Sequence, residues 1–201
     1  GRVIVAAKRQ RLTRQHRRGG RYTEKMLTLT VPHVTREGLE ARALVLAGEA
    51  CSATLTHRER KRAAARAKAA RALAELGTVK ARVELLWRAW PRFRRALVEH
   101  LEIRGEHTWT KLHRAFEWTP GGDALGHPHF HLWMWCPYLD ARALAALWTE
   151  AILDAGGEVP RTSDGMARIQ IQIFRTFDGN AAEELLKGGK REALTLSRLY
   201  H

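Results

Sequence analysis

Three histidines occur at every second position in Gly126-His127-Pro128-His129-Phe130-His131-Leu132-Trp133-Met134-Trp135, a short and strongly apolar run. In a β-strand, alternate side chains point to the same face. The spacing therefore places His127, His129 and His131 in a row on one side of a sheet, with Phe130, Leu132 and Met134 on the other. Imidazoles in such a row can share one divalent metal or grip a phosphate, because imidazole is the commonest metal ligand among side chains. A lone histidine there would read as an ordinary polar residue on a wet strand face. Three in register beside tryptophans favour a ligand.

A carboxylate stands close by. From Thr108 to Thr119 the chain alternates again, with Leu112, Phe116 and Trp118 on one face and Lys111, His113, Ala115 and Glu117 on the other. Pro120-Gly121-Gly122-Asp123 is turn chemistry, so this strand and the histidine strand are expected to pair antiparallel. Glu117 would then face the imidazoles. Two imidazoles and a carboxylate can hold Mg²⁺ or Mn²⁺ with positions open for phosphate oxygens. The alternative is that Glu117 only pairs with a neighbouring Lys or Arg. The metal reading is preferred, with His129, His131 and Glu117 as ligands and His127 as a flanking residue.

Other elements must position these groups. Met26-Leu27-Thr28-Leu29-Thr30-Val31 alternates as a half-buried strand and is stopped by Pro32. A helical stretch follows from about Thr35, with Leu39, Ala43, Leu46 and Ala50 on one side. Thr56-His57-Arg58-Glu59 reads as a capping box that opens a second helix rich in Ala and Arg, ended by Gly77. A third helical pattern from Val79 aligns Val83, Leu86, Trp87 and Trp90, and Pro91 is expected to kink it or start a new helix. Asp140 caps a helix carrying Leu144, Leu147, Trp148, Ala151 and Ile152. Arg168 to Phe174 alternates as a fourth strand, and a short helix runs from Ala181 to Lys187. The expected class is α+β, with a mainly antiparallel central sheet, helices packed on its apolar face, and a helical insertion over residues 35–104. The polar face, carrying Thr28, Thr30, Glu117 and the histidines, is expected to be open to a ligand.

The composition points to a polyanionic partner. The 201-residue chain has a net charge of +14 and a sequence pI of about 10.8. Nucleic acid is the commonest polyanion, with anionic membrane as the alternative. Residues 1–25 form a basic arm with Arg9, Arg11, Arg14, Arg17 and Arg18 and no acid before Glu24. Arg58, Arg60, Lys61 and Arg62 open the second helix, which continues with Arg66, Lys68 and Arg71. These basic residues are the candidate nucleic-acid contacts. The only cysteines, Cys51 and Cys136, are solitary, which argues against a disulfide framework or a Cys-based zinc site and suits the cytoplasm. The sequence shows neither an apolar run long enough to span a bilayer nor an opening signal-peptide pattern.

The motifs resemble a known family. His129-Phe130-His131 resembles the central motif of the HUH superfamily of single-strand DNA nickases, and the wider likeness is to plasmid rolling-circle replication initiators. Met26-Leu27-Thr28-Leu29-Thr30 resembles that family's first motif. Phe116-Glu117-Trp118-Thr119 followed by Gly126-His127-Pro128-His129-Phe130-His131 resembles its second block. The likeness runs over residues 26 to about 190, so residues 26–201 read as one HUH-like nuclease domain. It implies one Mg²⁺ or Mn²⁺ held by the HUH histidines and a third polar residue. It also implies attack by a tyrosine hydroxyl on a phosphate of single-stranded or hairpin DNA, leaving a 5′-phosphotyrosine and a free 3′-OH. The family's third motif reads Lys-Tyr-x-x-Lys. Here Lys187 matches the trailing lysine, but Glu184 stands where the tyrosine would be. The other phenols are Tyr22, Tyr138 and Tyr200; Tyr138 and Tyr200, with Lys187, are the candidate catalytic residues. The expected function is a metal-dependent origin-nicking initiator. The alternatives are a nicking-deficient HUH domain that only binds DNA, and an RNA- or ribosome-binding protein with incidental histidines.

Overall fold

A computed structural model describes residues 23–103, 111–119, 126–136 and 139–159. Three strands, β1 (Thr23–Thr30), β2 (Lys111–Thr119) and β3 (His127–Cys136), and four helices, α1 (Arg36–Cys51), α2 (His57–Ala74), α3 (Thr78–Ile103) and α4 (Ala141–Asp154), make up the described elements. The class is α+β. The sheet order is β1-β3-β2, and both pairings are antiparallel. The histidine strand is therefore the central one, with the Leu-Thr strand on one side and the glutamate strand on the other. The expected fourth strand, Arg168 to Phe174, and the helix Ala181 to Lys187 lie outside the described residues.

The alternation of each strand sorts its residues between two environments. Leu27, Leu29, Phe130, Leu132 and Met134 are all buried. In register, Leu27 lies opposite Leu132 and Leu29 opposite Phe130, while Phe116 faces Phe130 from the other side. This apolar face joins one core with Leu85, Leu86, Ala89, Phe93 and Leu97 of α3 and Leu144, Trp148, Ala151 and Ile152 of α4. Phe93 and Trp148 meet edge to face at 5.4 Å between ring centroids. Burying such a side chain contributes roughly 1.5–3 kcal/mol through lost apolar hydration. The Trp148 indole N–H also donates to the Thr30 carbonyl at 2.7 Å, fixing α4 to the end of β1.

Local sequence sets the helix ends. Gly38 N donates to Thr35 Oγ1 at 3.1 Å, capping α1. The capping box of α2 forms: Thr56 N donates to Glu59 Oε2 at 2.8 Å and Glu59 N to Thr56 Oγ1 at 3.3 Å. Ala143 N donates to Asp140 Oδ1 at 2.9 Å, capping α4. Of the two expectations at Pro91, the start of a new helix is corrected. Helix α3 runs unbroken through it from Thr78 to Ile103. Pro91 lies on the exposed side, while Ala89 and Phe93 on either side of it are buried. The packing of that face outweighs the one helical hydrogen bond a proline removes.

Helices α3 and α4 cover the sheet, so the stretch between β1 and β2 supplies part of the main core. Helix α2 packs along α1 and touches α3 and α4. Its inner stripe, Ala63, Ala67, Ala70, Leu73 and Ala74, is mostly alanine. The chain after α4 approaches it closely: a Cβ at Gly156 would lie 2.5 Å from the Ala70 nitrogen. Arg62 and Arg66 of α2 clasp Glu150 and Asp154 of α4, including Arg66 Nη2 to Asp154 Oδ1 at 2.6 Å.

One residue breaks the alternation. Position 114 of β2 belongs to the apolar face, yet it is Arg114, and it is exposed. Its guanidinium lies 4.4 Å from the Trp87 ring centroid, 4.6 Å from Phe130 and 5.2 Å from Trp90. The ring faces make the charge tolerable there. Burial, and then the like charge of Arg94, hold its pKa below the ordinary value. Among the described residues β2 is an edge strand, where an inward charge discourages pairing with another chain.

Candidate metal centre

The register of the sheet assembles the polar face. His129 of β3 lies between Thr30 of β1 and Glu117 of β2, and His131 lies between Thr28 and Ala115. The small side chain at Ala115 leaves room for Glu117 to reach diagonally along the face. Its Oε2 comes to 3.0 Å from His131 Nε2 and 3.6 Å from His129 Nε2. The two Nε2 atoms are 3.1 Å apart. Glu117, His129 and His131 thus bring one ligand atom each into a group that could hold a metal ion. The rings meet nearly perpendicular, at 89°.

The far side of each ring is also engaged. His129 Nδ1 lies 3.1 Å from the His127 carbonyl, which can only accept, so this nitrogen carries the proton. Thr119 Oγ1 stands 3.4 Å from the same nitrogen. His131 Nδ1 lies 3.0 Å from Thr28 Oγ1, and a hydroxyl accepting there leaves Nε2 unprotonated. Partners of this kind fix the tautomer and aim of ligating histidines. In the tautomers with both Nδ1 atoms protonated, two nitrogen lone pairs and a carboxylate oxygen converge on one point, an arrangement that a cation between them would stabilise. Ligands sharing one ion at about 2.0–2.2 Å stand about 2.8–3.6 Å from one another. The three separations match that range, so the donor set fits a divalent ion. Two imidazoles with one carboxylate suit first-row divalent ions; Mg²⁺ accepts such a set less readily because it prefers oxygen.

Burial reinforces the neutral state of the His129 imidazole. His129 is 8% exposed and His131 9%. Burial, the largest effect, holds the His129 pKa below the ordinary imidazole value, and the His127 carbonyl and Glu117 oppose it. An unprotonated ring keeps its lone pair for a metal. This differs from the expectation of an open row of imidazoles. The two imidazoles are buried, and the Glu117 side chain is 22% exposed.

The other expected site residues divide into three groups. His127 shares the face but turns away from the cluster, its Nδ1 lying 2.8 Å from His33 Nε2. Arg58 and Lys61 are exposed on α2. Arg60 donates to the Ser52 carbonyl at 3.5 Å, and Arg62 is engaged with Glu150 and Asp154. Lys187, Tyr138, Tyr200, Arg9, Arg11, Arg14, Arg17 and Arg18 lie outside the described residues.

Sequence reasoning did not assign roles to several supporting residues. Thr28 was legible as a polar-face residue, but its partner emerges only from the β1–β3 register. Arg82 gave no signal at all. It sits on α3, is 2% exposed, and donates through Nη1 to the Gly126 carbonyl at 3.0 Å. That bond anchors the chain at the entry to the histidine strand. No helix of the described residues is long and apolar enough to cross a membrane. No family model, curated protein or solved structure matches the chain.

Proposed function

We propose that the protein is an HUH-type replication initiator that binds single-stranded or hairpin DNA and nicks it at an origin-like site with a divalent metal. The observation that carries this reading is the convergence of Glu117 Oε2, His129 Nε2 and His131 Nε2 within 3.0–3.6 Å, on strands whose motifs resemble that family. A cation bound there, Mn²⁺ in preference to Mg²⁺ on donor chemistry, supplies Lewis acidity toward a phosphate oxygen. The chain's residues do the rest. Thr28 and the His127 carbonyl hold the rings in their ligating tautomer. The excess of basic residues attracts the polyanion and neutralises its charge. A phenol oxygen from Tyr138 or Tyr200 attacks phosphorus, and the bond to the DNA 3′-oxygen breaks. The phenol proton passes to that oxygen, giving a 5′-phosphotyrosine and a 3′-OH. Lys187 would offset charge on the phosphate.

A second reading rests on Glu184, which occupies the place of the motif tyrosine. A carboxylate already carries charge, repels phosphate, and would give a labile acyl phosphate. On that ground the domain would grip DNA without nicking it. One experiment separates the two. The protein is incubated with single-stranded DNA and Mn²⁺, then examined on a denaturing gel and by intact mass. A covalent adduct lost in Tyr138→Phe or Tyr200→Phe supports the initiator. Cut DNA with no adduct indicates attack by water. Salt-sensitive binding without cleavage supports the binding-only domain. If His129→Ala with His131→Ala alters neither metal binding nor cleavage, the metal-centre reading fails.

A further inference from the structure

Helix α2 carries seven basic residues and a single acid in 18 residues, HRERKRAAARAKAARALA. The structure divides six of these charges into two sets, while the seventh, Arg60, donates to the Ser52 carbonyl. Arg62 and Arg66 face α4 and are neutralised by Glu150 and Asp154. Arg58, Lys61, Lys68 and Arg71 are exposed. At 3.6 residues per turn these four fall within an arc of about 140°, opposite the buried stripe of Ala63, Ala67, Ala70, Leu73 and Ala74. The lone acid, Glu59, is occupied at the helix start, where it accepts from Thr56 N and Thr56 Oγ1 at 2.8 and 2.6 Å. Between Arg58 and Arg71 no other acid is present; Glu75, exposed at the helix C-cap, lies one turn beyond the stripe. The stripe spans about 20 Å from Arg58 to Arg71 at 1.5 Å per residue.

We infer that this stripe is a docking surface for the phosphate backbone of double-helical DNA, separate from the metal centre; the inference rests on the reading of the protein as DNA-directed. Three features select that partner. The helix has no Phe, Tyr or Trp, and its single imidazole, His57, lies at its first position, so the stripe offers no row of stacking platforms for the unstacked bases of a single strand. It has no Asn or Gln, and between the basic pairs only alanine is exposed, at Ala64 and Ala65. The stripe therefore reads charge and not sequence, and it lacks the large apolar residues with which an amphipathic helix enters a membrane. A duplex presents its phosphates outward on a rigid frame, which suits a fixed line of cations. Helix α2 packs on α1, α3 and α4, and α3 and α4 cover the apolar face of the sheet. The stripe thus lies across the helical layer from Glu117, His129 and His131. One strand at the metal centre and a duplex on α2 would be gripped at the same time by different surfaces.

The test measures binding of the full chain to a labelled 20-base-pair duplex, a 20-nucleotide single strand and phosphatidylserine vesicles across a salt series. The variant carries Arg58→Ala, Lys61→Ala, Lys68→Ala and Arg71→Ala. Alanine favours helix at exposed positions, and an unchanged Mn²⁺-induced rise in Tm verifies the fold. Duplex affinity should fall on the order of 10- to 100-fold, with the slope of log K against log salt reduced by about 3–4. Single-strand affinity should fall by a smaller factor. A second variant, Lys61→Glu with Lys68→Glu, should weaken duplex binding further. An unchanged duplex affinity, an equal loss on both nucleic acids, or wild-type preference for vesicles overturns the inference. Duplex binding lost in the variant, in a protein that never cleaves DNA with Mn²⁺, upholds this surface and refutes the nickase. Cleavage with a duplex affinity indifferent to the stripe does the reverse.

Discussion

Gly126 is the residue whose replacement should most directly test how the histidine strand is held. It adopts φ +71, a backbone conformation that costs an L-residue about 1–2 kcal/mol. A Cβ added there would lie 2.2 Å from Trp118 Cε2 and 2.3 Å from Cζ2 and Nε1. Ordinary contact begins more than 1 Å further out. The indole is a rigid ring, so either Trp118 or the strand entry must shift, at a further cost of about 1–3 kcal/mol. Gly126→Ala should therefore destabilise the protein by about 2–5 kcal/mol, which for a chain of this length lowers Tm by roughly 4–20 °C. The damage should reach the site. The Gly126 carbonyl is the acceptor for Arg82, and the next residue's carbonyl holds His129 Nδ1. Thermal unfolding followed by circular dichroism, paired with a Mn²⁺ titration, gives both readings. A Tm within 1 °C of wild type, with unaltered metal affinity, would refute the close approach of Trp118 and the role assigned to this entry turn.

Two further outcomes are expected. Thr28→Val removes the hydroxyl 3.0 Å from His131 Nδ1 while keeping the strand's shape; Mn²⁺ affinity by calorimetry should weaken about 10- to 100-fold, as for other partners of ligating histidines, and an unchanged affinity would remove Thr28 from the site. Burial raises the Asp154 pKa, but hydrogen bonds and charge from Arg62 and Arg66 outweigh it and leave the carboxyl below its ordinary value. A carboxyl lowered on folding stabilises the folded state above its unfolded pKa and loses that contribution as pH falls through the folded one. The urea-midpoint advantage of wild type over Asp154→Asn should thus be full at pH 6 and shrink below about pH 4, and an advantage constant down to pH 3 would contradict the assignment.

Much of the site was legible because strands have a period of two. That period alone placed His129, His131 and Glu117 on one side and Phe130, Leu132 and Met134 on the other. Turn chemistry at Pro120-Gly121-Gly122 pointed to the β2–β3 pairing. Capping chemistry located α2 and α4, since Thr56 with Glu59 and Asp140 with Ala143 act within a few residues. Position 114 shows where periodicity stops: Arg114 occupies an apolar position because Trp87, Trp90 and Phe130, distant in sequence, supply ring faces. Pro91 shows the same limit, since a local rule against helix yields to burial of Ala89 and Phe93.

The amino-acid sequence by itself determined the ligand types, their shared face and the basic character of the chain, because these follow from side-chain chemistry and local backbone period. Tertiary structure decided the rest. It set the order β1-β3-β2, which puts Thr28 and Glu117 on either side of the histidine strand. It buried His129 and His131, and at His129 that burial favours the neutral ring. It also separated the charges of α2, spending Arg62 and Arg66 on α4 and leaving Arg58, Lys61, Lys68 and Arg71 to solvent. The physical reason is common to all three. The meetings that no local pattern encodes are the distant ones, Thr28 with His131 across 103 positions and Arg62 with Asp154 across 92.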